Sequence, residues 1–154
     1  AERNPELKDE LGIVVYGKDS EQLKPLVPFQ VYPLNYISNE KELIDVYNSV
    51  DLFVTPSLEE NLPNTIMEAM ACGIPCVGFQ VGGIPEMIDH LHNGYVAEYK
   101  SVEDFANGIH WILDEGEYKT LSEEACRKVS SSYSESAIAK RYIEVYNKVT
   151  GSNE

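Results

Sequence analysis

Two glutamates with seven residues between them, Glu60 and Glu68, stand in the stretch whose residue types and punctuation most directly suggest chemistry. That stretch runs Pro56-Ser57-Leu58-Glu59-Glu60-Asn61-Leu62-Pro63-Asn64-Thr65-Ile66-Met67-Glu68-Ala69-Met70-Ala71-Cys72-Gly73-Ile74-Pro75. On one continuous helix the two acids would lie about 12 Å apart and roughly 80° out of phase, sharing no face. With Glu60 in a loop and Glu68 about one turn into a helix that opens near Pro63, both can border one pocket. A carboxylate accepts two hydroxyl hydrogen bonds, which is how a sugar ring is held. Between the acids, the unpaired N–H groups and dipole of a helix N-terminus make an anion site without Lys or Arg. Two sugars with a diphosphate between them would suit such an arrangement. A plainer reading stays open: Thr65-x-x-Glu68 also fits a capping box, in which the acid only closes the helix end.

The elements that must position these groups alternate between strand and helix. Gly12–Tyr16 reads as a short β-branched strand stopping at Gly17, and Val31 to Ile37 as a second extended stretch that Pro33 weakens as a central strand. Asn39 opens a helix with Leu43, Ile44, Val46 and Tyr47 on its inner side, and Asp51–Thr55 forms a third strand closed by Pro56. The helix from about Pro63 to Cys72 stops at Gly73. Pro75–Phe79 lacks polar alternation, as expected of a strand covered on both faces. Gly82-Gly83 with Pro85 marks a tight loop before a helical turn reaching Ile88, and Asn93-Gly94 is a turn signal before the short strand Tyr95–Ala97. The remainder reads as helix over about 101–114, 117–131 and 134–149, with Ser101 and Asp104 as a loose capping box and Ser134 as another cap. The last helix carries Ile138, Tyr142, Val145 and Val149 on one stripe. This order predicts an α/β fold, a Rossmann-like parallel sheet with helices on both faces and a helical C-terminus. Ligands of such sheets sit beyond the carboxyl ends of the strands, which selects the loops 17–20, 55–63 and 79–85.

Composition narrows the classes of function. The 154 residues are 43% apolar and 25% charged, an ordinary globular balance sized for one domain. Twenty-six acidic residues against 12 basic ones give a formal net charge of −14, which argues against a nucleic-acid surface. No apolar run approaches the roughly 20 residues of a membrane span, and no basic-then-apolar start reads as a secretory signal. The three cysteines, Cys72, Cys76 and Cys126, do not complete a zinc set and fit a reducing, cytoplasmic setting. His90 and His92 read as surface residues and His110 as structural. No nicotinamide fingerprint or hydrolase elbow is present around Gly78-x-x-x-Gly82-Gly83 or Ser57.

The stretch resembles the E-x7-E signature of retaining GT-B glycosyltransferases, the group that contains sucrose synthases and many bacterial polysaccharide glycosyltransferases. The likeness extends through Ser49–Ser57, Ala69–Pro75, Gly82-Gly83-Ile84-Pro85-Glu86 and Asn93-Gly94, all in the family's order and spacing, and covers roughly residues 12–149. It implies half of a GT-B fold that binds a nucleotide-diphosphate sugar, of UDP or GDP type, for retaining transfer to a glycan, lipid or other acceptor. Glu68 would hold the ribose hydroxyls, and Glu60 would lie against the donor hexose and stabilise developing positive charge or position the sugar. Asn61, Leu62, Pro63, Asn64 and Thr65 would approach the sugar and diphosphate, with Gly17 also at the donor. The resemblance implies no cofactor and no metal.

The sequence departs from the family at its start. Members carry an Arg and a Lys that neutralise the leaving diphosphate, and nothing here matches both: Arg3 and Lys8 lie in an unpatterned start, and Lys18 follows the first strand. The expectation is a truncated C-terminal domain, lacking its first strand and helix and the whole N-terminal acceptor domain, and inactive alone. The acceptor, and any membrane association, would come through that absent domain, and the final helix, which packs across it in the family, would be partly exposed. Two other readings remain: a module of the same fold that binds nucleotide or sugar without transfer, and a two-carboxylate glycoside hydrolase.

Overall fold

The computed structural model describes residues 10–151, so Arg3 and Lys8 lie outside the described residues. The chain divides into two compact units, Ala1–Val46 and Tyr47–Glu154. In the first, β1 (Gly12–Tyr16) and β2 (Gln30–Leu34) pair in parallel, with Pro33 opposite Val15. Among the described residues each pairs on one side only, which suits a proline that offers no ladder donor. A short 3-10 helix at Ser20–Leu23 lies between them, and the Ser20 hydroxyl donates to the Leu34 carbonyl at 2.9 Å. Helix α1 (Glu40–Tyr47) is capped by Asn39, whose Oδ1 accepts from the N–H groups of Lys41 and Glu42. Its inner face is narrower than expected: Tyr47 is buried, Leu43 and Val46 are half-buried, and Ile44 is exposed. The four positions spread over roughly 160° around the helix axis, and Ile44, at one edge of that arc, faces out.

The second unit is built on a three-stranded parallel sheet in the order β3 (Phe53–Thr55), β4 (Cys76–Phe79), β5 (Gly94–Ala97). The parallel pairing expected of one sheet thus occurs in two sheets among the described residues. Every residue of β4 is buried, as its unbroken apolar run predicts. Helix α2 (Asn64–Ala71) buries Ile66, Ala69 and Met70, the i, i+3, i+4 face of an amphipathic helix. It ends where Gly73 takes φ +76°, a left-handed conformation that favours glycine. The short helix α3 (Ile84–Met87) and helix α4 (Val102–His110) follow β4 and β5, and α4 runs into a π turn at Trp111–Glu115 that the sequence did not predict. Val77, Ile112 and Leu121 form a buried cluster joined by Leu52, Tyr95, Phe105, Ile109 and Trp111. Helix α5 (Tyr118–Ser132) contributes Leu121 and Ala125 to the interior.

Two caps are present and one is rearranged. The hydroxyls of Ser101 and Ser134 accept from the N–H groups of Asp104 and Ala137. Asp104 does not close its box by reaching back to Ser101. Its two oxygens accept from the Tyr95 hydroxyl at 2.8 Å and the Glu98 N–H at 2.7 Å, while the Ser101 N–H is already taken by the Glu98 carbonyl at 3.0 Å. Asn93 forms more than a turn: it is 1% exposed, and its Oδ1 accepts from the Asp89 N–H. Helix α6 (Glu135–Thr150) has no buried residue, and Tyr142, Ile143, Val145, Tyr146 and Val149 are all exposed, as expected. Among the described residues, no helix is long and apolar enough to cross a membrane.

Candidate functional site

Because β3, β4 and β5 run parallel, the loops that leave them emerge at one edge, and two contacts there fix the segment carrying Glu60. The Tyr99 hydroxyl, beyond β5, donates to the Leu58 carbonyl at 3.2 Å. The Gly83 N–H, beyond β4, donates to the Asn61 carbonyl. Gly82 has φ +54°, and a Cβ built on it would lie 1.8 Å from the Glu60 carbonyl oxygen. One on Gly83 would lie 2.4 Å from that of Asn61. The glycine pair therefore does more than turn the chain: it lets the two loops meet backbone to backbone. Loops 55–63 and 79–85 are brought together as expected.

Within that frame Glu60 is half-buried, Asn61 and Leu62 are exposed, and Pro63 is buried at the N-cap of α2. Pro63 has no side-chain acceptor to offer the first-turn N–H groups, and among them the Ile66 N–H donates to the Pro63 carbonyl at 3.2 Å. Asn64 is exposed and Thr65 half-buried in that first turn. Since Thr65 lies inside the helix rather than at its cap, Thr65-x-x-Glu68 is not a capping box.

Glu68 sits half-buried on the second turn, and its Oε2 accepts a 2.9 Å hydrogen bond from the Tyr47 hydroxyl. Tyr47 is 2% exposed, its ring edge-on to Phe53 with centroids 6.0 Å apart. Sequence reasoning placed Tyr47 only on an inner helix face. The missed signal was that a buried tyrosine hydroxyl needs a polar partner. Among the described residues, Oε1 of Glu68 takes no hydrogen bond.

The other singled-out residues fall into place as structure. Gly17, with φ +113° and open space around its Cα, belongs to the first unit, as does the exposed Lys18. His90 is exposed, and its Nδ1 accepts from the Val96 N–H at 3.1 Å; His92 is also exposed, and His110 pairs with Asp114 one turn on. The Ser57 hydroxyl pairs with that of Thr55 at 3.1 Å. Burial pushes the Cys76 thiol up, and burial, then the Cys126 thiol and Glu68, raise Cys72. Among the described residues, no group of three or more His, Cys, Asp or Glu is placed to hold a metal ion.

Comparison with known proteins agrees with this architecture. The family described as glycosyl transferases group 1 matches residues 1–115. An N-acetyl-alpha-D-glucosaminyl L-malate synthase of Bacillus anthracis is 30% identical over 115 residues, 74% of this chain and 30% of that protein. The sucrose-phosphate synthase of Thermosynechococcus elongatus superposes with a TM-score of 0.74 at 22% identity, covering 94% of this chain and 39% of that one. Anabaena Alr3699/HepE, solved in complex with UDP, superposes with a TM-score of 0.73 at 22% identity over 90% of this chain and 41% of its own. These structures share the α/β, GT-B glycosyltransferase fold, with parallel sheets and helices on both sides. The chain spans 30% to 39% of the length of the first curated relatives it matches. With three quarters of its sequence matched and its fold in common, the chain belongs to the group 1 glycosyltransferase family.

Proposed function

We propose that this chain is the donor-binding half of a retaining glycosyltransferase and holds a nucleotide-diphosphate sugar at the carboxyl edge of β3 and β4. The observation that carries the reading is the disposition of Glu68: an acid on the second turn of α2, anchored through one oxygen by Tyr47, with its other oxygen available to ribose hydroxyls. The first turn of α2, lacking a side-chain cap, supplies the N–H groups and positive dipole end that a diphosphate needs on so acidic a chain. Glu60, held from beneath by Gly82 and Gly83, faces the hexose and stabilises positive charge developing at the reacting carbon, with Asn61 to Thr65 lining the path between. HepE, a structural neighbour, binds UDP, and a nucleotide of UDP or GDP type fits here.

Transfer requires an acceptor-binding domain and diphosphate-neutralising cations from the rest of a longer protein, so the chain alone binds donor without transferring sugar. No metal is needed by this site, and the acidic composition and three free cysteines support a cytoplasmic location. Calorimetric titration with UDP, GDP and ADP tests the binding step: one nucleotide binds, and Glu68→Ala weakens it. Absence of binding by all three, both to the chain and to the longer protein, contradicts the reading. The anomeric configuration of the product made by the longer protein tests retention, and an inverted product removes the role given to Glu60.

A further inference from the structure

We infer that Tyr47 is a positioning residue that presets the Glu68 carboxylate for the ribose. This rests on the reading above that Glu68 receives the ribose hydroxyls. A glutamate side chain on a helix turn has three rotatable bonds, and an unanchored carboxylate samples many orientations. Here the orientation is fixed from outside the helix. Tyr47 comes from the segment before β3 and Glu68 from the helix after it, and their side chains meet at 2.9 Å. The phenol has one hydrogen; the Thr65 carbonyl, at 3.4 Å, can only share it, so the carboxylate is the principal acceptor. The tyrosine is itself immobile, 2% exposed and packed edge-on against Phe53. Oε2 is thereby committed to the protein and Oε1 is left for the ligand, so the carboxylate is ordered before binding rather than during it. A phenylalanine would fill the same space and leave the carboxylate unanchored.

A purely structural hydroxyl would affect stability but would not tell one nucleotide from another. The test therefore titrates the chain and its Tyr47→Phe, Glu68→Ala and doubly substituted forms with UDP and GDP and with their 2′,3′-dideoxy counterparts. Tyr47→Phe is expected to weaken the ribonucleotide on the order of tenfold, the scale of one hydrogen bond to a charged group, and to leave the dideoxy analogue unchanged. In the Glu68→Ala background it is expected to have no further effect, as a coupled pair requires. Equal weakening of both ligands, persistence of the effect without Glu68, or no effect at all would overturn the role of Tyr47 while the donor-binding reading stood. A wild-type chain that does not distinguish ribonucleotide from dideoxy analogue would overturn the role of Glu68, and this inference with it. The Tyr47 hydroxyl proton of the wild-type chain gives an independent measurement should Tyr47→Phe fail to fold. Its resonance is expected to be protected from exchange, to shift on ribonucleotide addition and to lose protection in Glu68→Ala, and a resonance indifferent to both contradicts the inference.

Discussion

Gly82 lies against the Glu60 carbonyl so closely that a methyl group on Gly82 would overlap the oxygen, with 1.8 Å between them. Neither atom belongs to a flexible side chain, and Gly82 also has a φ of +54°. Gly82→Ala is thus expected to strain the backbone and push the two loops apart, lowering stability by roughly 2–4 kcal/mol. Urea unfolding gives the magnitude, and amide shifts of Glu60, Asn61 and Leu62 show whether the loop has moved. A substituted chain with wild-type stability and unshifted amides contradicts the contact.

The contact illustrates what the sequence could and could not reveal. The glycine pair was legible as a turn, since composition marks turns locally, but its partner lies more than twenty residues away in sequence. Tyr47 and Glu68 are likewise joined only by the fold. Asp104 was legible as part of a cap, yet Tyr95 and Glu98 claim both its oxygens. Gly94 was legible as a turn residue, whereas a Cβ there would meet the Cys76 carbonyl at 2.3 Å, and Leu91 takes the left-handed backbone instead. Local pattern, by contrast, located the buried strand β4 and the stop of α2 at Gly73, because each follows from neighbouring residues alone.

Alkaline stability is expected to report on the Tyr95–Asp104 pair. Burial first, then the hydrogen bond to Asp104, raises the Tyr95 phenol above its ordinary value of 10.0. Tyr118 and Tyr133 are raised from the same value, chiefly by burial. Above pH 10.0 the unfolded chain releases these protons before the native one does, so the native state binds more protons and stability falls as pH rises. Tyr95→Phe is expected to be less stable at neutral pH by about 1–3 kcal/mol, the scale of a hydrogen bond to a carboxylate. The deficit should narrow as pH rises past that value, since the substituted chain no longer has this proton to lose. Denaturant midpoints measured across the alkaline range check this, and a constant deficit contradicts it.

Thiol reactivity should separate the cysteines. Cys76 is fully buried on β4, its thiol donating to the Ile74 carbonyl at 3.4 Å, and burial disfavours its thiolate. Mass-mapped alkylation at about pH 8, where an ordinary thiol is partly ionised, is expected to leave Cys76 unmodified until the chain unfolds. Cys72, raised chiefly by burial, should react more slowly than a thiol in the denatured chain. Modification of Cys76 in native buffer would contradict the packing of β4.

A nucleotide donor seated between the loop of Glu60 and the first turns of α2 is to be sought by amide-resolved NMR during titration with UDP and GDP. One of the two is expected to shift the amides of Asn61 to Glu68 and of Gly82 and Gly83, with the shifts diminished in Glu68→Ala. Shifts centred elsewhere, or undiminished in the substituted chain, contradict it.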